Sequence, residues 1–328
     1  MEAKIIKRQI SYDGTEKFLL CMEDGNLVET VLMRAAYGNS VCVSSQAGCN
    51  MGCVFCASGL RKKVRNLTAE EMLAQVETAA DFLRAPDYKD QDSESRCEFL
   101  TSCSENVSEC SFDDQNSHIT HVVIMGTGEP FDNYDEVIRF CDIVTSEKDL
   151  KKLESPLAAA PIAPRHITVS TCGLVPEILK FTETAKRYNL AISLHASNNE
   201  IRNRIMPINR KHPIEELIKA VDSYCSKTKR RVTFEYILLD GINDSDENAF
   251  ELAGLLKTTN AYVNLIPYNN VAEFSMHGSS KERALQFYDI LMKNGIKVTL
   301  RKERGSDILA ACGQLKSRYE NERSAECL

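Results

Sequence analysis

The sequence predicts an α/β protein, and three observations carry that expectation. Seven short stretches rich in apolar and β-branched residues read as strands, longer amphipathic stretches lie between them, and the two patterns alternate along the chain. About six βα units in series require a parallel sheet with crossover helices, built as an open barrel or as a doubly wound sheet. The chain length, 328 residues, suits one such domain.

The elements follow in order. An N-terminal segment of short β-like pieces, "KFLLCM" and "LVETVLM", precedes the repeating units and sets off residues 1–36 as a β extension from a core at 37–328. The strands of the core are "SVCVSS", "HVVIMG", "HITVST", "LAISLH", "RVTFEYIL", "YVNLIPY" and "IKVTLRK". Helices are expected over 68–84, 134–148, 176–187, 214–227, 246–257 and 281–294. The first is the best marked: Thr68 followed by Glu71 is a capping-box pattern, and Met72, Leu73, Val76, Ala80 and Leu83 form one apolar face.

Two segments break the rhythm. Residues 86–118 are rich in Ser, Asp, Glu and Asn and poor in large apolar side chains, the composition of a disordered acidic insertion. The "SPLAAAPIAP" connector at 155–164 reads as a surface loop. Charge is distributed accordingly. Residues 87–118 hold nine acids against Lys89 and Arg96, a net of −7, which equals the formal charge of the whole chain. The remainder is therefore neutral on balance, with basic runs at 61–65, 227–231 and 300–305 that leave room for an RNA-binding surface.

No stretch approaches the roughly 20 apolar residues of a membrane span, and the first residues lack the apolar run of a signal peptide, so a soluble cytoplasmic protein with no membrane partner is expected. Thirteen cysteines in such a chain favour metal ligation or redox catalysis over a disulfide framework.

Three of those cysteines, Cys49, Cys53 and Cys56, stand in C-x3-C-x2-C spacing within "CVSSQAGCNMGCVFCASG". A structural zinc site needs four ligands, and the nearest further thiol, Cys42, lies seven residues upstream in the preceding strand. Three thiolates suit a [4Fe-4S] cluster that leaves one iron open to a small molecule. Small polar groups recur at the C-terminal ends of later strands, where α/β folds place ligands: "MGTGEP" at 125–130, "VSTCG" at 169–173, "SLH" at 193–195 and "NLIPYN" at 264–269. Gly126 and Gly128 permit close backbone approach, and Glu129 can accept a hydrogen bond from an ammonium group. Taken alone, "MGTGEP" is an ordinary Gly-rich turn and His195 a structural histidine.

The cysteine motif on the loop after the first core strand closely resembles the radical S-adenosylmethionine (SAM) superfamily. Read together with Cys42 and with Cys312 in "RGSDILAACGQL", the motifs resemble the RlmN/Cfr family of radical SAM RNA methyltransferases over roughly residues 10–317, the insertion excepted. The resemblance implies a partial (β/α)6 barrel, with a short N-terminal β extension and a C-terminal strand and loop. It also implies a chain without the helical accessory domain that the family carries ahead of the segment like "SYDGTEKFLL".

The function implied is methylation of C2 of an adenine in ribosomal RNA and possibly transfer RNA. "MGTGEP" resembles the C2-methylating branch. The cofactors implied are a [4Fe-4S] cluster on Cys49, Cys53 and Cys56 and two SAM molecules per turnover, with an external electron donor of flavodoxin or ferredoxin type. Cys312 takes a methyl group from one SAM. The radical from the second removes a hydrogen from that methyl, and the methylene adds to the electron-poor adenine carbon. Cys42 then attacks Cys312, releasing the base and leaving a disulfide for reductant to reset. Glu29 matches the family's proton acceptor, although by its spacing it is equally an exposed strand glutamate. Gly128, Glu129, Ser170, Ser193, Leu194, His195 and Asn269 match SAM contacts, while Cys141 and Cys172 match none and are expected in the core. Two other readings stand beside this one: the same chemistry on a different RNA or on a non-RNA adenine compound, and a non-catalytic iron–sulfur or zinc module. Cys42 and Cys312 weigh against the module, since neither is needed merely to hold a metal.

Overall fold

The computed structural model describes residues 3–60, 62–84, 118–184, 188–269, 274–301, 308 and 314–319. Residues 86–117 of the expected insertion and Cys312 lie outside the described residues.

A ten-stranded sheet organises the chain, in the order β1-β2-β3-β4-β7-β8-β9-β10-β11-β12. The first four strands, β1 (Lys4–Ile10), β2 (Glu16–Cys21), β3 (Leu27–Ala35) and β4 (Gly38–Cys42), form an antiparallel meander. From β4 onward the direction is uniform. β7 (Ile119–Ile124), β8 (Ile167–Thr171), β9 (Asn189–Ser193), β10 (Val232–Leu238), β11 (Ala261–Pro267) and β12 (Val298–Leu300) all run parallel. All seven expected core strands are present, and they make an open (β/α)6 barrel with β12 added at its edge. The sequence-based expectation missed β1 and the two-residue strands β5 (Gln46–Ala47) and β6 (Arg65–Asn66), which pair with each other.

The six expected helices are α1 (Ala69–Arg84), α2 (Tyr134–Thr145), α4 (Val175–Glu183), α6 (Ile214–Thr228), α7 (Asp246–Leu256) and α8 (Lys281–Lys293). α1 starts where its capping box places it: Thr68 Oγ1 accepts from the Glu71 amide at 3.2 Å, and the Glu71 carboxylate accepts from the Thr68 amide at 2.9 Å. Two short helices were not expected, α3 (Glu147–Lys152) and α5 (Asn199–Ile205). The 155–164 connector is no plain surface loop. It folds into a 3-10 turn at Pro156–Ala159 and buries Leu157 and Ile162, because Ile162 donates back to the Val144 carbonyl at the end of α2.

Strand faces and helix stripes meet in one core that includes Phe18, Val122, Val169, Phe234 and Phe287. Fully burying each such side chain contributes about 1.5–3 kcal/mol. A second, smaller apolar cluster forms at the C-terminal ends of the parallel strands and includes Cys53, Phe55, Ala57, Cys172, Ile201 and Ile205. It lies beneath the cysteine loop. Among the described residues no helix is long and apolar enough to cross a membrane.

Candidate active site at the C-terminal face of the barrel

Cys42 ends β4, and the chain then turns across the mouth of the barrel. The β5–β6 pair closes residues 47–65 into a loop that holds Cys49, Cys53 and Cys56. This loop is locked to "MGTGEP". The amides of Ser45 and Gln46 both donate to the Thr127 carbonyl, the Gly126 amide to the Val43 carbonyl, and the Glu129 amide to Gln46 Oε1 at 2.9 Å. The glycines serve this contact: a Cβ at Gly126 would lie 2.7 Å from Ser44 Oγ, and one at Gly128, where φ is +112°, would lie 2.7 Å from Gln46 Cβ. "MGTGEP" is thus the cradle of the loop rather than a free turn.

The three thiols are half-buried and form no disulfide. Burial pushes Cys49 up to about 11, and burial together with the neighbouring Cys56 and Cys49 sulfurs pushes Cys53 far above the ordinary thiol range. Burial thus opposes thiolate formation at Cys49 and Cys53, a cost that a cationic iron–sulfide core would remove. No three His, Cys, Asp or Glu side chains among the described residues converge as ligands of one metal ion. Beside the loop, the Ser45 hydroxyl is buried next to Gly128 and finds no partner among the described residues, as expected of a site built for a polar ligand.

Glu129 sits at the centre of the cradle. Its Oε1 accepts from the Phe131 amide at 3.0 Å and its Oε2 from the Cys172 amide at 2.7 Å. Burial raises its pKa, and these amide bonds oppose the rise. Each carboxylate oxygen keeps acceptor capacity for an ammonium group. Cys172 is buried as expected, but it belongs to the site: Glu129, Cys53 and Arg202 all act on its thiol.

Ser193, Leu194 and His195 follow one another at the end of β9. His195 has φ +56°, its Nδ1 accepts from the Ile237 amide at 3.0 Å, and its ring meets Phe55 of the cysteine loop edge-on at 5.0 Å. With Nδ1 an acceptor, the neutral ring carries its proton on Nε2. Burial, aided by the Arg202 charge, lowers its pKa to about 3. Between pH 6.5 and about 3 the unfolded chain therefore takes up a proton that the folded chain refuses, and stability falls as pH falls, by up to about 1.4 kcal/mol per pH unit from this group. Denaturation midpoints at pH 5 and 7 are expected to separate less in His195→Gln than in the unmodified protein.

Ser170 lies buried in β8, and Asn269 lies half-buried just past β11. Both stand at the same end of the barrel, and neither side chain makes a hydrogen bond among the described residues. Arg202, which the sequence did not single out, is the largest fully buried side chain of the site. It donates to the carbonyls of Cys172, Ser193 and Leu194 and so ties the ends of β8 and β9 together.

A second group of residues gathers on β3 and β4. Glu29 is buried rather than exposed, with Lys17 Nζ 2.9 Å from its Oε2 and the Lys316 amide donating to its Oε1 at 2.8 Å. Lys316 Nζ also reaches the Leu27 carbonyl. Residues 314–319 are thereby held on β3, which pairs with β4 through Val31 and Cys42. Burial pushes the Cys42 thiol up to about 11, while the charges of Arg301 and Lys17 pull it down.

Residues 112–253 match the radical SAM superfamily profile. That span begins beyond the cysteine loop, so the match and the motif support the same class independently. A solved radical SAM methyltransferase from Sphaerobacter thermophilus superposes with a TM-score of 0.79 at 40% identity, covering 96% of this chain and 81% of that one. Fold and site thus define a radical SAM protein, a class that binds SAM at a [4Fe-4S] cluster. Within that class, the probable dual-specificity RNA methyltransferase RlmN of Malacoplasma penetrans is 50% identical over 305 residues, which are 93% of this chain and 75% of the relative. Its counterpart from Enterococcus faecalis is 48% identical over 94% of this chain and 77% of its own. The chain belongs to the RlmN family.

Proposed function

We propose that this protein methylates C2 of an adenine in RNA by passing a methyl carbon through Cys312. The observation that carries the reading is the tether of the C-terminal segment: Lys316, four residues after Cys312, binds Glu29 and the Leu27 carbonyl on the strand beside Cys42. Family membership and the relatives' description as dual-specificity RNA methyltransferases support RNA as the substrate; ribosomal RNA, and after it transfer RNA, is the substrate of this proposal.

The residues divide the work. Cys49, Cys53 and Cys56 hold the cluster, and Glu129, with the Ser193–His195 segment, Gly128, Ser170 and Asn269, orients SAM. A cluster and SAM held there would supply the radical chemistry that activates the methyl carbon on Cys312. Cys312 acts first, as the thiolate that displaces a methyl group from one SAM, so two SAM molecules serve each turnover. The methylene carbon on Cys312 bonds to the adenine carbon, the adduct gives up one electron to a one-electron acceptor, and Glu29 accepts the proton lost from the ring, with Lys17 beside it as counter-charge. Cys42 then attacks the Cys312 sulfur. A sulfur–sulfur bond forms, the sulfur–carbon bond breaks with its electron pair moving onto the methylene carbon, that carbon takes a proton to become the methyl group, and a dithiol reductant resets the pair. A cytoplasmic setting and an electron donor of flavodoxin or ferredoxin type complete the reading.

The test is to incubate protein, methyl-labelled SAM and reductant with total RNA and digest the RNA to nucleosides. Label in 2-methyladenosine is the expected result; label that stays on Cys312 and never enters RNA contradicts it.

A further inference from the structure

Arg202 is a buried cation whose hydrogen bonds all end on neutral oxygens. From α5, its Nε donates to the Leu194 carbonyl at 3.0 Å, Nη1 to Asn209 Oδ1 at 3.0 Å, and Nη2 to the carbonyls of Cys172 and Ser193 at 2.6 and 3.1 Å. Among the described residues no carboxylate pairs with it. A guanidinium removed from water needs a compensating negative charge as well as hydrogen bonds, because carbonyl dipoles alone repay only part of its lost hydration.

The groups that act against burial on Arg202 are sulfurs, those of Cys172 and Cys53, which become a source of negative charge only when the loop's thiols are ionised as ligands. α5 braces the cysteine loop directly, since the Val54 amide donates to the Ile205 carbonyl at 3.0 Å. Cys53 packs in one apolar cluster with Cys172, whose carbonyl accepts from Arg202 Nη2, and with Ile201 and Ile205 of the same helix as Arg202. Burial draws the Arg202 pKa down to about 10, and Cys172 and Cys53 hold it up, so it remains a cation at neutral pH.

We propose that Arg202 is the internal counter-ion of the thiolate-ligated cluster and thereby sets its reduction potential. The proposal rests on Cys49, Cys53 and Cys56 being the cluster ligands. Reduction adds one electron and one negative charge to the cluster, and a fixed cation in a water-poor site stabilises the reduced state more than the oxidised one. Arg202 is thus a positioning and tuning residue rather than a catalytic one. Its hydrogen bonds hold the ends of β8 and β9 whether or not its charge matters, so the test must separate charge from shape.

The experiment is a redox titration of the anaerobically reconstituted full chain, followed by the spin resonance of the reduced cluster, for the unmodified protein, R202K, R202M and N209D. R202K keeps the charge and is expected to hold the unmodified midpoint. R202M is expected to shift the reduction equilibrium about tenfold toward the oxidised form, a midpoint lower by about 59 mV for one electron. N209D places a carboxylate on Nη1, lowers the midpoint in the same direction, and decides the matter if R202M does not fold. A midpoint in N209D and in folded R202M equal to the unmodified value overturns the proposal, as does an R202K midpoint as low as that of R202M. Unmodified protein that binds no iron contradicts the ligand reading itself, whereas full iron with unshifted variants contradicts the proposal alone.

Discussion

Cys53→Ala is expected to lose the cluster and all methyl transfer to RNA. Reconstituted protein should fall from about four irons per chain to less than about one, read by iron analysis and by loss of the brown absorbance. The expectation follows from the loop's construction. Burial raises the Cys49 and Cys53 thiols in the metal-free site, so with Cys53 removed the remaining thiols must hold iron with one bond fewer to offset that burial. Cys172→Ala is the informative control. Cys172 lies in the same apolar cluster as Cys53, but its amide and carbonyl are engaged by Glu129 and Arg202, and it is expected to keep its iron. Iron retained in Cys53→Ala and lost in Cys172→Ala would reassign the ligands.

Cys42→Ala is expected to convert the enzyme into one that stops after a single attachment to its substrate, with protein–RNA adduct rising from trace to the major species on a denaturing gel. Cys42 sits at the last position of β4, opposite Val31 and one strand away from the Glu29 that anchors residues 314–319. Its thiol, pushed up to about 11, is almost wholly protonated at neutral pH. Release should therefore quicken as pH rises toward 11 in the unmodified protein, since the thiolate is the attacking form. Free 2-methyladenosine produced by Cys42→Ala at the unmodified rate would remove Cys42 from the release step.

Much of this architecture was legible because the signals are local. Strand stretches such as "HVVIMG" and "RVTFEYIL" are short runs rich in apolar and β-branched residues, and each expected helix carried its own stripe and often its cap. The cysteine spacing was equally local. What escaped was set by distance or by brevity. α5 spans seven residues, and "NEIRNRI" reads as a polar surface turn until the fold buries Arg202 beneath β8 and β9. β5 and β6 have two residues each, and their pairing depends on the loop between them closing. Glu29 looked like any alternating strand glutamate, because its partners Lys17 and Lys316 come from another strand and from the far end of the chain. Cys172 read as core by its burial, yet its position at the end of β8 against Glu129 is a tertiary fact.

The central claim is that the methyl carbon reaches RNA through the protein, and a pulse and chase measures it. Protein carrying an isotope-labelled methyl group on Cys312 is freed of SAM, then mixed with RNA, reductant and unlabelled SAM for a single turnover. The account predicts that 2-methyladenosine from this turnover carries the label first held on Cys312. Product that carries only the unlabelled carbon of the chase would contradict it.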